Sequence, residues 1–172
     1  MKQNLLYVTL LVNSQLLLAG NLLVQPATDF TIDNYLGTWY EIARLPVVFE
    51  KDLVNVTATY SKNNDEKIVV FNEGYKKTRD GRHVKTKGSA KFAEARNVGH
   101  LRVTFFWPFY SDYIVFVLDK NYEYAMVAGS SYEYLWILCR KPKLDQSIVS
   151  DLIDKAKKAG FPIEKLIMTP QE

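Results

Sequence analysis

The chain has 172 residues, 13% of them aromatic, and its 22 basic and 19 acidic residues give a formal net charge of +3. A chain of this length fits one domain that needs no disulfide or metal to fold, and its weak charge without a dense basic stripe excludes a typical nucleic-acid-binding protein. The single cysteine, Cys139, excludes an intramolecular disulfide.

Residues 1–20 are typical of a signal peptide. Lys2 supplies a positive charge, a mostly apolar run extends from Leu5 to Leu18, and Ala19-Gly20 supplies small residues at its end. The run is shorter than the roughly 20 apolar residues that span a membrane. We therefore expect a signal peptide over residues 1–20 and a mature domain over 21–172.

Position 21 bears on membrane anchoring. Leu18-Ala19-Gly20 resembles the start of a bacterial lipoprotein signal, but Asn21 stands where the lipid-bearing cysteine would be. Only a thiol accepts the diacylglyceryl group, so the sequence argues against a lipid anchor. Either the protein is released in soluble form, or it differs from a lipidated relative at this one residue, naturally or by engineering.

Period-two alternation of apolar and polar residues, with turn residues about every 8–12 positions, predicts an all-β domain. Eight strands in meander order close into an antiparallel up-and-down barrel without free edges. The predicted strands lie near Thr38–Leu45, Leu53–Ser61, Lys67–Tyr75, Arg82–Glu94, His100–Phe106, Asp112–Asp119, Glu123–Gly129 and Glu133–Arg140.

The same alternation assigns side chains to the barrel interior. Small residues in inward positions leave volume that a packed core would fill, and an eight-stranded barrel is just wide enough to hold one small ligand. The predicted inward residues are Val54, Val56, Ala58 and Tyr60 in the second strand, Val84, Thr86, Gly88, Ala90 and Phe92 in the fourth, and Leu101, Val103 and Phe105 in the fifth.

One amphipathic helix is predicted after Pro142 ends the eighth strand. Asp145 is its N-cap, apolar residues recur at helical spacing from Ile148 to Ala159, and Gly160 ends it. An apolar stripe of this width usually docks on the protein's own core rather than on a membrane or partner. We expect the helix to pack outside the barrel, followed by a strand-like segment from Ile163 to Met168.

Three motifs resemble those of the lipocalin family, most closely its bacterial outer-membrane and apolipoprotein D branches. Gly37-Thr38-Trp39 resembles the Gly-x-Trp signature, and Arg140 resembles the arginine that ends the eighth strand. The segment Leu118 to Tyr122 matches the Thr-Asp-Tyr turn in part. The resemblance implies that Trp39 plugs the closed end of the barrel, with Arg140 across it.

The resemblance also implies a function: to bind a hydrophobic ligand, a fatty acid or lysophospholipid, and carry or store it in cell-envelope lipid handling. Tyr60, Asn72, Tyr113 and Trp136 match pocket positions of family members, so they are the predicted ligand-binding residues, although each can also be interpreted as barrel packing. No cofactor is expected, and the protein is expected to be a monomer or weak homodimer. Absence of the family's usual disulfides favours a bacterial periplasmic or outer-membrane-associated location.

A lipid-modifying enzyme is the main alternative, because a few lipocalins transform lipids. Such chemistry needs a reactive group inside the cup, and the parity of Cys139, opposite to that of Trp136, turns the thiol outward. His83 and His100 lie at no metal-ligand spacing, so no metal site is expected. The aromatic run 106–110 is predicted at a hairpin, where it either contacts a membrane or second subunit or covers the barrel.

Overall fold

Antiparallel strands form a closed barrel in the computed structural model, which describes residues 22–171. The strands are β1 (Gly37–Arg44), β2 (Leu53–Lys62), β3 (Ile68–Lys76), β4 (His83–Phe92), β5 (His100–Phe106), β6 (Phe109–Leu118), β7 (Tyr124–Ala128), β8 (Leu135–Cys139) and the short β9 (Ile167–Met168). Strands β2 to β8 pair in chain order, and β1 pairs with both β2 and β8. The predicted all-β, eight-stranded antiparallel up-and-down barrel is confirmed, with β9 added to it. The predicted signal peptide lies outside the described residues.

An α-helix precedes the barrel and another follows it, α1 (Ile32–Tyr35) and α2 (Gln146–Lys158). As predicted, Asp145 caps α2, because its carboxylate accepts a hydrogen bond from the Ser147 N–H at 2.8 Å. Gly160 follows the helix with a φ of 95°, a conformation that glycine adopts without strain. No helix within residues 22–171 is long and apolar enough to cross a membrane.

The apolar side of α2 packs on the outside of the barrel. Val149, Leu152 and Ala156 are buried there. They belong to the same cluster as Ile137 and Cys139 of β8. The prediction that this stripe docks on the protein's own core is confirmed.

The two ends of the barrel differ. The β1–β2, β3–β4, β5–β6 and β7–β8 connections share one end, because the chain turns there after each odd-numbered strand. Helix α1 and the start of β1 lie at the opposite end, where Tyr35 and Trp39 are fully buried. We call the first the open end and the second the closed end.

The C-terminal segment fills a gap between β1 and β2. These strands pair with each other only along the first half of β1, up to Tyr40. Beyond that point β9 pairs with Ala43 and Arg44 instead. The predicted strand-like segment from Ile163 to Met168 is wrong in its first half, because residues 163–165 form a 3-10 turn and only Ile167–Met168 is extended.

The predicted alternation in β2 is wrong at Val54. Asn55 has a left-handed backbone with a φ of 51°, and the register with β3 shifts between Val54 and Thr57. The bulge changes the phase of the strand, so that Leu53 reaches the barrel cavity while Val54 faces an outer groove. The inward predictions beyond the bulge stand at Val56, Ala58 and Tyr60.

The free volume predicted at Gly88 and Ala90 is occupied by protein. A Cβ atom at Gly88 would lie 2.8 Å from the ring of Phe105, so this aromatic side chain fills the space above the glycine. Ala90 is buried in the core at the closed end. Of the three small residues, only Ala58 borders open space in the barrel.

Candidate ligand-binding site

Trp39 and Arg140 close the narrow end of the barrel, as the motifs predict. The guanidinium carbon of Arg140 lies 3.9 Å from the centroid of the Trp39 ring, a cation–π contact that contributes about 0.5–2 kcal/mol. Arg140 also donates hydrogen bonds to the carbonyls of Asn34 at 2.7 Å and Thr38 at 3.1 Å. Gly37 permits this approach, because it has a φ of 94° and its Cβ position lies 3.3 Å from the arginine.

The turn between β6 and β7 completes the closed end. The carboxylate of Asp119 accepts hydrogen bonds from the backbone N–H groups of Asn121 and Glu123. Tyr122 accepts a hydrogen bond from the Thr31 N–H at 2.8 Å through its hydroxyl, which ties the turn to the segment before α1. The aspartate and tyrosine of the partly matched motif thus hold this end together.

Three tyrosines form the floor of the barrel interior above Trp39. The Tyr35 ring lies 4.6 Å from the Trp39 ring and 5.3 Å from the Tyr60 ring, centroid to centroid. The Tyr60 hydroxyl donates to the Tyr113 hydroxyl at 2.7 Å, and the hydroxyls of Tyr35 and Tyr113 are bonded at 2.8 Å. Burial raises the pKa of all three phenols. The floor is therefore polar but uncharged.

A cavity of about 710 Å³ extends from this floor to the open end. Small-molecule sites commonly enclose about 300–1,000 Å³. No lysine or arginine of the described chain lines the cavity. Its apolar wall includes Leu53, Val56, Ala58, Val70, Val84, Val103, Phe105 and Leu138.

All four residues predicted to contact a ligand lie on the wall of this cavity. Tyr60 and Tyr113 belong to its floor, whereas Asn72 and Trp136 lie on β3 and β8. The Trp136 ring stacks on Tyr134 with the centroids 6.2 Å apart. The Asn72 amide makes no hydrogen bond to any residue within 22–171. The four residues share one surface, and their contact with a ligand stays a prediction.

A buried ionic cluster, which the sequence did not reveal, lies in the wall beside Trp136. Glu41 of β1 and Glu50 of the β1–β2 connection are 2% and 6% exposed and line the cavity. Arg44 pairs with both, with Nη1 at 3.1 Å from Glu41 Oε1 and Nε at 3.3 Å from Glu50 Oε2. Trp136 Nε1 donates to Glu50 Oε2 at 3.2 Å, and the Thr169 hydroxyl donates to Glu41. The cluster thus joins β1, β8 and the C-terminal segment.

Burial determines the protonation of this cluster. Desolvation raises the pKa of Glu41, and desolvation together with repulsion from Glu41 raises the pKa of Glu50 to about 8. A pKa of about 8 leaves Glu50 largely protonated at neutral pH, next to Arg44, which contacts both carboxyls. Alternation could have placed Glu41 inside, two residues after Trp39, but Glu50 lies in a connection without a periodic pattern.

Aromatic side chains surround the mouth of the cavity and face solvent. Phe49 is 63% exposed, Phe106 80%, Trp107 78% and Phe109 74%. Phe49, Phe106 and Phe109 also line the cavity. We call these four residues the aromatic rim. Such exposure favours the interpretation as a contact patch over the interpretation as a cover of the barrel.

Cys139 lies away from the cavity. It is buried in the cluster between the barrel and α2, and burial raises the pKa of its thiol. The predicted outward direction of this side chain is confirmed, so Cys139 supplies no nucleophile to the cup. No group of three or more His, Cys, Asp or Glu residues in the described part of the chain is placed to hold a metal ion.

Known proteins resemble the chain over most of its length. The lipocalin-like domain family matches residues 30–171. The outer membrane lipoprotein Blc of Vibrio cholerae is 44% identical over 150 residues, which cover 87% of each chain. Blc of Escherichia coli K12 is 40% identical over 148 residues, or 86% of this chain and 83% of the relative. Apolipoprotein D of Mus musculus is 32% identical over 151 residues, or 83% and 78%.

Solved structures agree with the barrel. Insecticyanin of the tobacco hornworm Manduca sexta superposes with a TM-score of 0.69 at 21% identity, covering 87% of this chain and 85% of its own. At this identity the likeness shows the fold alone. The family match, the relatives at 40–44% identity and the closed-end geometry of Trp39 and Arg140 agree with one another. The chain belongs to the lipocalin family.

Proposed function

We propose that this protein binds a single-chain lipid, a fatty acid or lysophospholipid, in its cavity and carries or stores it without modifying it. The observation that carries the proposal is the largely apolar cavity of about 710 Å³ between the tyrosine floor and the open end. Ligand sites of this kind are concave and mostly apolar, with a few polar groups that orient the ligand. Tyr60, Asn72, Tyr113 and Trp136 are the residues proposed to contact it.

The energetics favour an acyl chain as the buried part of the ligand. Each methylene group transferred from water contributes about 0.8 kcal/mol, so burial of roughly ten of them contributes about 8 kcal/mol. Association and ordering cost about 4 kcal/mol or more. A cavity whose floor is already hydrogen-bonded through Tyr35, Tyr60 and Tyr113 adds little reorganisation to this cost.

Names of the relatives support an envelope location, since two of them are outer membrane lipoproteins. We propose that residues 1–20 direct export and that the protein acts in the bacterial periplasm or at the outer membrane. Asn21 carries no thiol for lipidation, so membrane contact is proposed to be peripheral, through the aromatic rim. The protein is proposed to be a monomer or weak homodimer.

Lipid binding is tested by two measurements on the mature protein. Native mass spectrometry of protein purified from its own host should show a bound lipid and give its mass. Titration with fatty acids and lysophospholipids should change the fluorescence of Trp136, and the Trp136→Phe variant should lose most of that change, whereas Trp107→Phe should keep it. Absence of saturable binding by any lipid of either class would refute the proposal.

Membrane contact is tested by sedimentation with vesicles of a zwitterionic and an anionic phospholipid. Replacement of Phe106 and Phe109 by Ser should abolish co-sedimentation, since both side chains are at least 74% exposed at the mouth. A Tyr132→Ser variant, which removes an exposed aromatic outside the rim, is the matched control. Equal co-sedimentation of all variants would show that the rim is not the contact.

A further inference from the structure

The charges around the cavity are unevenly distributed. Glu41 and Glu50 line its wall, whereas the described lining contains no lysine or arginine. Glu73 and Asp112 also border the cavity, but Glu73 is paired with Lys85 at 2.8 Å and Asp112 with Arg102 at 3.5 Å. The groups of the described wall that could contact a ligand are therefore acidic or uncharged, and none is cationic.

Arg44 is the cation of the buried cluster in the wall, and two of its three guanidinium nitrogens already donate hydrogen bonds. Its Nη1 bonds Glu41 and Thr169, its Nη2 donates to the Glu50 carbonyl at 2.7 Å, and its Nε faces the Glu50 carboxyl. Arg44 faces the outer groove rather than the cavity. An anionic ligand would have to displace Glu50 to reach this charge.

We propose that the cavity selects ligands by the charge of their polar end, accepting uncharged or cationic ends and rejecting anionic ones, with Glu50 as the specificity-determining residue. This inference rests on the proposed function and narrows it to single-chain lipids whose polar end has no net negative charge, such as a zwitterionic lysophospholipid, so that ionised fatty acids are excluded. A lipid that ends in an alcohol, an ester or an amine fits the wall, whereas an ionised carboxylate finds no cation there and incurs an uncompensated desolvation cost.

The selection depends on pH, because Glu50 carries the proton of the cluster. The groups that face Glu50 are Glu41 and Arg44 from β1, Tyr60 from β2 and Trp136 from β8. With a pKa of about 8, Glu50 is neutral at pH 6 and ionised at pH 9. Rising pH therefore adds one negative charge to the wall, which repels anions and attracts cations.

The inference is tested with three probes that share a dodecyl chain and whose own charges do not titrate: dodecanesulfonate, dodecyltrimethylammonium and monolauroylglycerol. Dissociation constants are measured for the mature protein at pH 6 and pH 9, below the micellar concentrations, with circular dichroism as a check of folding. From pH 6 to pH 9 we expect the sulfonate to bind about tenfold more weakly and the ammonium about tenfold more tightly. The glycerol ester should bind equally at both.

Two variants separate Glu50 from other titrating groups. Glu50→Gln keeps the shape and an acceptor for Trp136 but cannot ionise, so its affinities should not change with pH. Glu133→Gln removes an exposed carboxylate of the open end and should behave like wild type. If Glu50→Gln fails to fold, the wild-type series still decides whether the cavity selects ligands by charge, because it compares the three probes at both pH values.

The outcomes distinguish this inference from the proposed function. If all three probes bind alike at both pH values, charge selection is wrong and the lipid-binding proposal stands. A sulfonate that binds most tightly would overturn the inference in the same way. If no probe and no natural lipid binds, the proposed function itself fails, and the inference fails with it.

Discussion

The proton held by Glu50 makes the stability of the barrel depend on pH in a predictable direction. The pKa of this carboxyl is about 8 in the folded protein against 4.5 for an ordinary glutamate. The folded state therefore keeps a proton that the unfolded state releases. The resulting stabilisation is fully present below about pH 4.5 and is lost as pH rises through about 8.

The magnitude follows from the size of the shift. Each pH unit between the two pKa values changes the free energy of unfolding by about 1.4 kcal/mol. Glu50 is 6% exposed, so solvent screens its charge little. The shift from 4.5 to about 8 therefore corresponds to on the order of 5 kcal/mol, a large part of the about 5–15 kcal/mol that stabilises a domain.

Urea unfolding at pH 6, 7, 8 and 9 tests this prediction. The wild type should lose stability across the series, while Glu50→Gln should lose much less, because Arg44 then neutralises Glu41 at every pH. Glu133→Gln controls for the removal of a carboxylate and should follow the wild type. If wild type and Glu50→Gln lose stability in parallel, the buried proton does not reside on Glu50 and the reasoning is refuted.

Three further predictions concern the frame around the cavity. Arg140→Ala should lower the free energy of unfolding by about 2 kcal/mol, because it loses a cation–π contact and three hydrogen bonds, with lipid affinity unchanged in a titration; a loss of lipid affinity would show that the closed end also determines binding. Cys139→Ala should leave lipid affinity and any lipid turnover unchanged, since the thiol lies outside the cup; a loss of turnover would revive the enzyme alternative. Thr169→Val should destabilise the protein by about 1–3 kcal/mol in urea, because buried Glu41 and Arg44 lose a partner; an unchanged midpoint would show that the C-terminal segment does not brace the cluster.

The alternation of apolar and polar residues correctly predicted the inward side chains wherever a strand has no bulge that shifts the alternation. In β4 and β5 the apolar face of the sequence is the inner face of the structure. The prediction failed at Val54, because the left-handed backbone of Asn55 inserts a bulge and exchanges the two faces of β2. Asparagine tolerates this conformation better than most residues, but an asparagine in an alternating run does not by itself indicate a bulge.

In the candidate site, too, some residues could be predicted from the sequence and others could not. Tyr60 and Trp136 could be predicted inside from strand parity, whereas Asn72 and Tyr113 could be predicted only because they match pocket positions of family members. Glu50 could not, because its position depends on how the β1–β2 connection folds back over the open end. Nor could the role of Thr169, which reaches Glu41 across 128 positions of sequence. Contacts between a loop, a strand and the C-terminal segment leave no local pattern.

The distribution of partners within the barrel explains how a stable fold can keep an unfilled interior. At the closed end Trp39, Tyr35, Tyr60 and Tyr113 stack and hydrogen-bond in layers under Arg140, so the aromatic groups there need no ligand to be satisfied. Toward the open end, the buried cluster of Glu41, Arg44 and Glu50 lies in the wall of the cavity and bonds to Thr169 of the C-terminal segment. The cluster needs no partner from inside the cavity, because Arg44 pairs with Glu41 and Glu50 within the wall. We therefore expect changes at cavity-lining residues such as Asn72 and Trp136 to alter ligand preference and changes at Trp39 or Arg140 to alter stability, and paired unfolding and binding measurements should distinguish the two kinds of variant.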